Sequence, residues 1–378
     1  MICLTTAGES HGKGLFAILE GIPAGLKLEL EKINARLAMR QSGYGRGARQ
    51  KIESDRVEIL SGVRNLTTLG SPLTLAVWNR DYAHWQEAMA PEGCDTSLRR
   101  LTKVRPGHAD LTGMKKFGHD DARNILERAS ARETAVRVAA GEVCRQLLSA
   151  LGVEVTGYVR QIAHIADEKE YAFEQISSAR SDILGMMSRE KEKLACKEID
   201  ECKAAGDTCG GKIELRVKGL KSGFGSCMTY KEKLDARLVS ALMSVQAVKG
   251  AEVGLGFGAA TLRGSAVHDE IFVDENGRTY RKTNRAGGIE GGMSNGEEIV
   301  LRAAMKPIPT LMQGLHTVDA ATGKPALAAA ERSDVCAILA CEVVLEAALC
   351  IELAAAVLQR LGGDNMNEII KRYGELPL

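Results

Sequence analysis

Hydrophobic and polar residues follow two periods along this chain, and each period predicts a different kind of element. Short apolar or alternating segments predict β-strands, and they cover residues 2–7, 15–19, 57–61, 71–78, 153–160, 213–217 and 299–305. Apolar residues spaced three and four apart predict helices, and these cover residues 28–38, 121–151, 234–243 and 335–361. A charged stretch at residues 173–202 also favours helix and is interrupted near Gly185. The pattern predicts a mixed α/β protein with strands and long helices.

The last long helix bears on membrane association and on domain organisation. Glu342, Glu346 and Glu352 interrupt its apolar run, so it is expected to be buried or to face another subunit. No uncharged run reaches the length of a membrane span, and no membrane association is expected. We treat residues 1–363 as a single domain and residues 364–378 as a polar C-terminal tail.

Composition and charge exclude some partners. The chain has 378 residues, of which 45% are hydrophobic and 26% charged, as expected for a soluble protein with a substantial core. Its net charge of +1 provides no overall attraction to nucleic acid or to an anionic membrane. Aromatic residues make up only 4%, which leaves few stacking platforms for single-stranded nucleic acid. Ten cysteines form no CxxC pair and no signal peptide precedes them, so reduced thiols and a cytoplasmic location are expected.

Residues 105–141 combine groups that suit an anion-binding site. The turn Arg105-Pro106-Gly107-His108-Ala109-Asp110 would present His108 at a fixed angle. On the predicted helix, Arg128 and Arg132 are four residues apart and would share a face that only small residues flank. Imidazole and guanidinium groups together bind anions. The alternative is a solvated helix with Glu133 and Arg137 paired, and this stretch alone does not decide between them.

Three other segments hold candidate polar groups. Gly8-Glu9-Ser10-His11-Gly12 connects two predicted strands and makes His11 a second candidate acid or base, although an ordinary hairpin turn is equally consistent. In Lys306-Pro307-Ile308-Pro309-Thr310 the two prolines favour an extended backbone that would aim Lys306 and Thr310 in one direction. Asp334 precedes the last long helix, where it would serve either as an N-cap or as a functional carboxylate.

Two further motifs suggest other classes of protein. A basic, glycine-rich segment could be a lid over an anion or a nucleic-acid arm, but the near-zero net charge weakens the second interpretation; its basic residues are Arg36, Arg40, Arg46, Arg49, Lys51 and Arg56. Residues 254–259 match G-x-G-x-x-A, with Asp274 twenty residues after Gly254. We discount a dinucleotide-dependent oxidoreductase because the segment that follows is too short and too broken for the required helix.

Six motifs taken in order resemble the chorismate synthase family, and the resemblance extends from Thr6 to about Leu349. They are Gly8-Glu9-Ser10-His11-Gly12, Arg105-Pro106-Gly107-His108-Ala109-Asp110, Arg128-Ala129-Ser130-Ala131-Arg132-Glu133-Thr134-Ala135, Gly291-Gly292-Met293-Ser294-Asn295-Gly296, Lys306-Pro307-Ile308-Pro309-Thr310 and Arg332-Ser333-Asp334. Each motif is weak alone, but six in this order are specific. Modest departures occur at Lys13, where the family commonly has proline, at residues 119–123, where a commoner version is basic, and at Gln246, where relatives often have asparagine.

The resemblance implies a fold, a reaction and a cofactor. The implied fold is α+β, a chorismate-synthase-like sandwich of two antiparallel β-sheets enclosing a core of long helices, assembled as a homotetramer. The implied reaction is the anti-1,4-elimination of phosphate from 5-enolpyruvylshikimate 3-phosphate to give chorismate, the last common step of the shikimate pathway towards aromatic amino acids. Reduced FMN is required although the reaction is redox-neutral. Because no extra reductase domain is evident, an external flavin reductase is expected, with NADPH at most an indirect reductant.

The resemblance also assigns residues to roles, and it implies no metal site. The acid–base groups are His11, His108 and Asp334. The FMN-binding positions are Arg128, Ala129, Ser130, Gln246, Ala247, Gly291, Lys306, Pro307, Ile308, Pro309, Thr310 and Arg332. The substrate-binding positions are Ser10, Arg40, Arg46, Arg105 and Arg132. In chemical terms, His11 would protonate the departing phosphate, His108 would hold the negative charge of the reduced flavin, and Asp334 would manage a proton at its reactive nitrogen.

Overall fold

The first part of the chain forms a four-stranded antiparallel sheet. The computed structural model describes residues 2–47, 53–328 and 333–376. The sheet has the order β1-β2-β6-β3, with β1 Cys3–Ala7, β2 Gly14–Glu20, β3 Val57–Ser61 and β6 Leu73–Trp78. Short strands β4 (Val63–Arg64) and β5 (Thr67–Thr68) form a hairpin between β3 and β6. Leu15, Ala17 and Leu19 alternate along β2 with no exposed surface, so one face of this sheet packs on the core.

A second, five-stranded antiparallel sheet follows in the later part of the chain. Its order is β10-β15-β9-β7-β8, with β7 Glu154–Ile162, β8 Ile165–Ala166, β9 Gly211–Lys218, β10 Val248–Val253 and β15 Ile299–Met305. Three small hairpins lie outside both sheets: β11 (Ile271–Val273) with β12 (Thr279–Arg281), β13 (Ile289–Glu290) with β14 (Met293–Ser294), and β16 (His316–Val318) with β17 (Pro325–Leu327). The strand segments that the alternation predicts therefore form strands.

Helices connect the sheets and fill the core. They are α1 Leu30–Gln41, α2 Gln86–Met89, α3 Asp110–Phe117, α4 Arg123–Ala129, α5 Thr134–Ser149, α6 Phe173–Ala179, α7 Arg189–Ala205, α8 Leu234–Met243, α9 Gly264–Val267, α10 Ile338–Leu361 and α11 Met366–Glu375. Helix α5 packs against α10 and contacts β2 and β6, while α10 contacts β7 and β9. Among the described residues no helix is long and apolar enough to cross a membrane.

The predicted helix over residues 121–151 is interrupted at Ser130. Helix α4 ends at Ala129, Ser130 is extended (φ −62°, ψ 141°), and a 3₁₀ turn precedes α5. The Ser130 side chain accepts a hydrogen bond from the backbone N–H of Arg132, which offers the chain an alternative to continuous helix. The prediction that Arg128 and Arg132 share one helix face is therefore wrong, since the two arginines belong to different segments.

The two ends of α10 also differ from the sequence-based expectations. Asp334 does not cap this helix, which begins at Ile338 after Ala337, with no side-chain cap. Residues 364–378, expected as a polar tail, include helix α11. Met366, Ile369 and Tyr373 are buried at a spacing of three and four residues, which places one face of α11 on the core.

Helices α5 and α10 are in close contact at Gly141. A Cβ atom at Gly141 would lie 2.4 Å from the Cβ and 2.7 Å from the carbonyl oxygen of Ala347. We therefore expect Gly141→Ala to lower the free energy of unfolding by about 2–3 kcal/mol, because the two helices must separate. Urea denaturation measures this change. Gly374→Ala is the matched control, since its Cβ would meet nothing within 4 Å, and it should leave stability unchanged or raise it by up to ~1 kcal/mol.

A buried ionic cluster joins α1, α5 and α10. Glu342 accepts a 2.5 Å hydrogen bond from Arg180, and Glu346 accepts a 2.6 Å hydrogen bond from Arg145 and another from Arg36. Burial raises the pKa of Glu342. Burial also acts upward on the pKa of Glu346, but the guanidinium groups outweigh it and lower that pKa. One carboxyl of the pair is therefore expected to be protonated and the other ionised at neutral pH.

The raised pKa of Glu342 makes stability depend on pH. A carboxyl whose pKa is raised in the folded state favours folding at low pH. Its contribution to the free energy of unfolding is lost as the pH rises from about 4 through the raised pKa of the folded state. Glu342→Gln removes this titration, so we expect the variant to gain about 1–3 kcal/mol over wild type between about pH 5 and pH 9. Thermal unfolding across this range is the measurement. Parallel stability curves for the two proteins would contradict the assignment.

Candidate active site

The turn that holds His11 connects β1 to β2 and is fixed by a side chain from the neighbouring strand. Asn79 Nδ2 donates to the carbonyl oxygens of Glu9 (3.1 Å) and Gly12 (2.8 Å). Gly8 has φ +106°, and a Cβ there would lie 2.3 Å from the carbonyl oxygen of Gly14. Only glycine fits at position 8 without displacing β2. The turn is therefore held from both ends, and His11 lies in a fixed position.

His11 is bound to a buried carboxylate. Its Nδ1 lies 2.8 Å from Glu127 Oε1, and its backbone N–H donates to Glu127 Oε2 at 2.7 Å. The ring stacks on Trp85 with the centroids 3.8 Å apart. Burial acts upward on the pKa of Glu127, but the bonds from His11 outweigh this effect, so the pKa lies below its usual value. Glu127 is therefore ionised near neutral pH and accepts hydrogen bonds only.

His108 has a similar partner on the segment leading into α3. Its Nδ1 lies 2.5 Å from Asp110 Oδ1 and 3.1 Å from an Nη2 of Arg105. Arg105 also donates to Asp110 through Nε (2.8 Å), Nη2 (3.1 Å) and its backbone N–H (3.1 Å). Burial acts upward on the pKa of Asp110, but the bonds from His108 and Arg105 hold it well below its usual range. Arg105 therefore acts here mainly as the partner of a buried carboxylate.

Asp334 pairs with a residue that follows α1. Its Oδ2 lies 3.2 Å from a guanidinium nitrogen of Arg46, and its Oδ1 accepts a 2.5 Å hydrogen bond from the backbone N–H of Gly47. Asp334 and Arg46 are far apart in sequence, so no local pattern indicates this pair. The neighbouring Ser333 hydroxyl donates to the carbonyl oxygen of Thr310 at 3.1 Å. Asp334 thus lies between the segment around Arg46 and the segment around Thr310.

Two of the predicted substrate-binding arginines are buried in an ionic network. Arg132 donates to Asp55 at 2.6 and 2.7 Å and, through Nε, to Asn79 at 2.9 Å. Arg40 lies 3.5 Å from Asp55 and donates to the hydroxyl of Thr134 and to the carbonyl oxygen of Ala131. Burial lowers the pKa of Arg40 to about 10, although Asp55 opposes the effect. The network supports the turn that holds His11 through Asn79.

The positions predicted to bind FMN form a second run of contacts. Arg128 donates to the carbonyl oxygen (2.9 Å) and hydroxyl (2.7 Å) of Thr6, whose hydroxyl donates to Glu133 at 2.7 Å. Gln246 Nε2 donates to Glu133 at 3.2 Å, and Ala247 accepts a backbone hydrogen bond from Lys306. The Lys306 amino group contacts the carbonyl oxygen of Gly107, beside His108.

These contacts, together with one charge–charge interaction, form one circuit. Arg105 Nη1 donates to the Thr310 hydroxyl at 3.1 Å, which joins the His108 segment to Ser333 and Asp334. Asp334 binds Arg46, and the charge of Arg46 acts on Arg40. Arg40 shares Asp55 with Arg132, which continues through Asn79 to the His11 turn. Arg128 contacts the carbonyl oxygen of Gly8 at the start of that turn and continues to Gln246, Lys306 and Gly107. The predicted residues His11, His108, Arg128 and Asp334 therefore belong to one connected assembly.

One predicted residue, Gly291, lies away from the others, and another, Arg332, lies outside the described residues. Gly291 adjoins Gly292, whose carbonyl accepts from the N–H of Leu234 at the start of α8, whereas Gln246 follows the end of that helix. Ten residues of helix separate the two by about 15 Å, so one chain does not bring Gly291 to Gln246. Arg332, with Arg49 and Lys51, lies outside the described residues.

The remaining predicted positions lie next to the residues described above. Ser10 donates its backbone N–H to the carbonyl oxygen of Glu127. Ala129 and Ser130 lie at the break between α4 and α5. Pro307 follows Lys306, the Ile308 carbonyl accepts a hydrogen bond from the Thr208 hydroxyl, and a Cβ at Gly107 would lie 3.5 Å from Pro309.

The alternative motifs do not form the structures they would require. After β10, residues 256–261 form a 3₁₀ helix and the following helix α9 has four residues, so the G-x-G-x-x-A match does not open a βαβ unit. Arg36, Arg40 and Arg46 point inward onto carboxylates, which is unlike a nucleic-acid arm. Within the described part of the chain, no group of His, Cys, Asp and Glu side chains could hold a metal ion.

Several residues that hold the site together were not predicted from the sequence. They are Glu127, Trp85 and Asp55, and each contacts a predicted functional residue. Glu127 precedes the Arg128 motif directly, so proximity to that motif is the one available signal. Trp85 and Asp55 reach the site from separate segments, and no local pattern identifies them.

Comparisons with known proteins agree on one family. A family model described as chorismate synthase matches residues 2–358. The chorismate synthase of Geobacter sulfurreducens is 51% identical over 384 residues, covering 99% of this chain and 98% of that protein. The Pelobacter propionicus chorismate synthase is 53% identical over 388 residues, again covering 99% and 98%. A crystal structure of chorismate synthase superposes with a TM-score of 0.79 at 40% identity, covering 99% of this chain and 96% of that one.

Proposed function

Because this chain belongs to the chorismate synthase family, we propose that it eliminates phosphate from 5-enolpyruvylshikimate 3-phosphate in an anti-1,4 sense to give chorismate. The enzyme is a carbon–oxygen lyase of the shikimate pathway and serves aromatic amino acid biosynthesis. The observation that supports this proposal is the circuit of contacts and charge interactions joining His11, Asp334, His108 and Arg128. It links two imidazoles, a carboxylate and several guanidinium groups.

The substrate has a phosphate and two carboxylates, so it needs donors that the protein leaves unused. Arg46 Nε and one Nη of Arg132 are buried and have no hydrogen-bond partner. An unmade hydrogen bond on a buried guanidinium is costly, and an anionic ligand would remove that cost. Asp334 binds one Nη of Arg46, while Asp55 and Asn79 bind Nη1 and Nε of Arg132. The Glu53 carboxylate lies 3.6 Å from Arg132 Nη2, too far for a hydrogen bond. Arg46 and Arg132 are therefore pre-positioned for the anionic groups of the substrate.

His11 is assigned as the acid for the leaving group. Phosphate departs more easily when its bridging oxygen gains a proton or positive charge. Glu127 binds His11 Nδ1, which leaves Nε2 as the nitrogen that can give a proton to the substrate. Arg132 Nη2, which makes no hydrogen bond and lies 3.6 Å from Glu53, belongs to the network that also holds the His11 turn. Acid and cation would then act on the same departing group.

His108 and Asp334 are assigned to the flavin side. His108 is held by Asp110 and Arg105, and the carbonyl oxygen of the preceding residue, Gly107, contacts Lys306. A protonated imidazole and a lysine ammonium beside each other would hold the negative charge at the pyrimidine end of a reduced isoalloxazine. Asp334 would accept and return a proton near its reactive nitrogen. Both side chains are held by neighbours, so neither needs to reorient during the reaction.

The residues present fit FMN. Gln246 Oε1 is buried without a hydrogen-bond partner, as a group awaiting a ring N–H would be. Arg128 retains 45% of its side-chain surface, which leaves its cation available to an anionic cofactor. Gln246, Ala247, Arg128, Lys306 and Thr310 would hold the cofactor. When bound, reduced FMN supplies electron density to the substrate and recovers it, which makes its requirement consistent with a redox-neutral reaction.

The proposal extends to the assembly. It includes the sandwich in which both sheets enclose the helical core, and the contacts of α5 with β2 and β6 and of α10 with β7 and β9 support this arrangement. It also includes a homotetramer, which the family resemblance implies, and a cytoplasmic location, which the ten cysteines without CxxC pairs favour. An external flavin reductase is included as the source of reduced FMN.

An anaerobic assay tests the function and the source of electrons together. The protein is mixed with 5-enolpyruvylshikimate 3-phosphate and either photoreduced FMN or NADPH plus oxidised FMN, and chorismate is measured by its absorbance. We expect turnover with photoreduced FMN and none with NADPH plus oxidised FMN. No chorismate under either condition would refute the function, whereas equal rates would refute only the need for an outside reductase.

A further inference from the structure

The strongest unassigned group beside the proposed site is the Glu127 carboxylate. Its side chain retains 2% of its surface, and both of its oxygens are used by one residue. Oε1 binds the His11 ring at Nδ1, and Oε2 binds the His11 backbone N–H. The carboxylate thus holds His11 at two points that differ in position and direction. This geometry fixes the orientation of the ring and also the backbone that presents it.

We propose that Glu127 is the positioning residue of His11: it fixes the proton on Nδ1, directs Nε2 to the substrate, and stabilises the imidazolium that protonates the leaving phosphate. The inference rests on the role proposed above for His11. Glu127 itself touches neither substrate nor flavin in this scheme and acts only through the imidazole.

The assignment of the tautomer follows from the hydrogen-bond partners. An ionised carboxylate accepts hydrogen bonds and donates none, so the nitrogen facing it must bear the proton. The hydrogen bonds from His11 hold the pKa of Glu127 below its usual value against the opposite effect of burial, which keeps it ionised. His11 Nε2 is then the atom that gains and releases a proton during turnover.

Trp85 restricts the same ring from a third direction. Its indole stacks on the imidazole at 3.8 Å with an interplanar angle of 26°. The guanidinium of Arg99 lies 4.0 Å from the Trp85 ring centroid, and that of Arg123 lies 5.1 Å from it. The stack excludes water from one face of the imidazole, and the hydrogen bonds that the buried carboxylate accepts from His11 are stronger in consequence.

The carboxylate that binds His11 accepts fewer hydrogen bonds from arginine than the carboxylate that binds His108. Glu127 has one other cation close to it, Arg123, with the nearest atoms 3.4 Å apart. Asp110, in contrast, is bound by Arg105 through three hydrogen bonds, so much of its charge is already compensated. Other charged groups near the His11 turn are Glu9 on the turn itself, Arg128 at the Gly8 carbonyl oxygen and Arg99 across the Trp85 ring. Glu127 is therefore the principal counter-charge for a His11 imidazolium.

Kinetic measurement of three variants across the pH range tests the positioning role. Glu127→Gln keeps the shape but removes the charge, and we expect kcat to fall about 10²-fold while KM changes by less than about threefold. Its alkaline limb should move to lower pH, because the imidazolium loses its counter-charge. Glu127→Asp keeps the charge, so its kcat should be at least about tenfold higher than that of Glu127→Gln. Glu201→Gln, at a side chain with 62% exposure, should match wild type.

A spectroscopic readout separates this inference from the proposed function. Nitrogen-15 spectra of wild-type protein labelled in the histidine rings, with the His11 signals assigned from His11→Asn, report which ring nitrogen bears the proton. We expect a protonated Nδ1 in the wild type and a changed Nδ1 signal in Glu127→Gln. An unprotonated Nδ1, or a Glu127→Gln enzyme with unchanged kcat and pH profile, would overturn the inference. A correct spectrum from protein that makes no chorismate would instead refute the function and leave the pairing established.

Discussion

His108→Ala and Asp334→Ala are each expected to lower kcat by about 10²-fold or more. Each change removes a group that the account assigns to the flavin side of the site, where charge and proton must be managed during every turnover. The measurement is chorismate formation under anaerobic conditions with photoreduced FMN at saturating substrate. Because both residues lie in the circuit of contacts, the variants should also bind FMN more weakly in the presence of substrate.

His164→Ala is the control for both variants. It removes an imidazole with 76% side-chain exposure that lies outside the circuit, and it should leave kcat unchanged. Circular dichroism and thermal unfolding establish that the variants are folded. If His108→Ala and Asp334→Ala both retain turnover within about tenfold of wild type, the roles assigned to these residues are wrong.

Arg132→Ala should destabilise the protein more than any surface change. Asp55 has no exposed side-chain surface and accepts from Arg132 at 2.6 and 2.7 Å. Removing one partner of a buried ion pair leaves an uncompensated charge, so we expect a loss of about 3–5 kcal/mol in the free energy of unfolding. Asn79 also loses its partner, and the His11 turn loses part of its support. Urea denaturation followed by far-ultraviolet circular dichroism measures the loss.

A double variant distinguishes this mechanism from a simple loss of packing. Arg132→Ala combined with Asp55→Asn removes both charges, so stability should recover by about 1–3 kcal/mol relative to Arg132→Ala alone. Arg278→Ala, at an exposed position, is the matched control and should change stability by less than about 0.5 kcal/mol. No recovery in the double variant would show that Arg40, 3.5 Å from Asp55, already compensates its charge and that Arg132→Ala acts through lost packing.

Local periodicity accounts for most of the secondary structure. The predicted helix over residues 234–243 coincides with α8, and the Gly8–Gly12 connection joins two antiparallel strands as expected. These elements depend on neighbouring residues, so their signals are contained in short stretches of sequence. The family resemblance is confirmed by the comparisons over nearly the whole chain.

The break at Ser130 and helix α11 were not predicted, and each depends on a few individual side chains. Ser130 interrupts a run of good helix formers because its hydroxyl bonds to the backbone N–H of Arg132. Residues 366–375 are polar on average, yet Met366, Ile369 and Tyr373 are spaced to bury one face of a helix. In both places the average composition of the segment conceals the residue that decides its conformation.

The partners in the site are unpredictable for a different reason. His11 and Glu127 are 116 positions apart, and Gly47 and Asp334 are 287 apart. Such pairs depend on how the sheets and helices pack, which no local pattern describes. The six motifs identify many of the residues of the site, but not that Arg40 and Arg132 are already paired with Asp55. That pairing leaves fewer free cations than a count of arginines suggests.

Flavin binding with and without substrate is the decisive measurement for the proposed site. In that proposal His11, His108, Arg128 and Asp334 surround one site for reduced FMN and 5-enolpyruvylshikimate 3-phosphate together. Titration of FMN, followed by its absorbance change, should show binding at least about tenfold tighter when the phosphorylated substrate is present, and Arg128→Ala should remove that gain. Binding of NADPH alone, or FMN binding that neither substrate nor Arg128→Ala alters, would contradict the account.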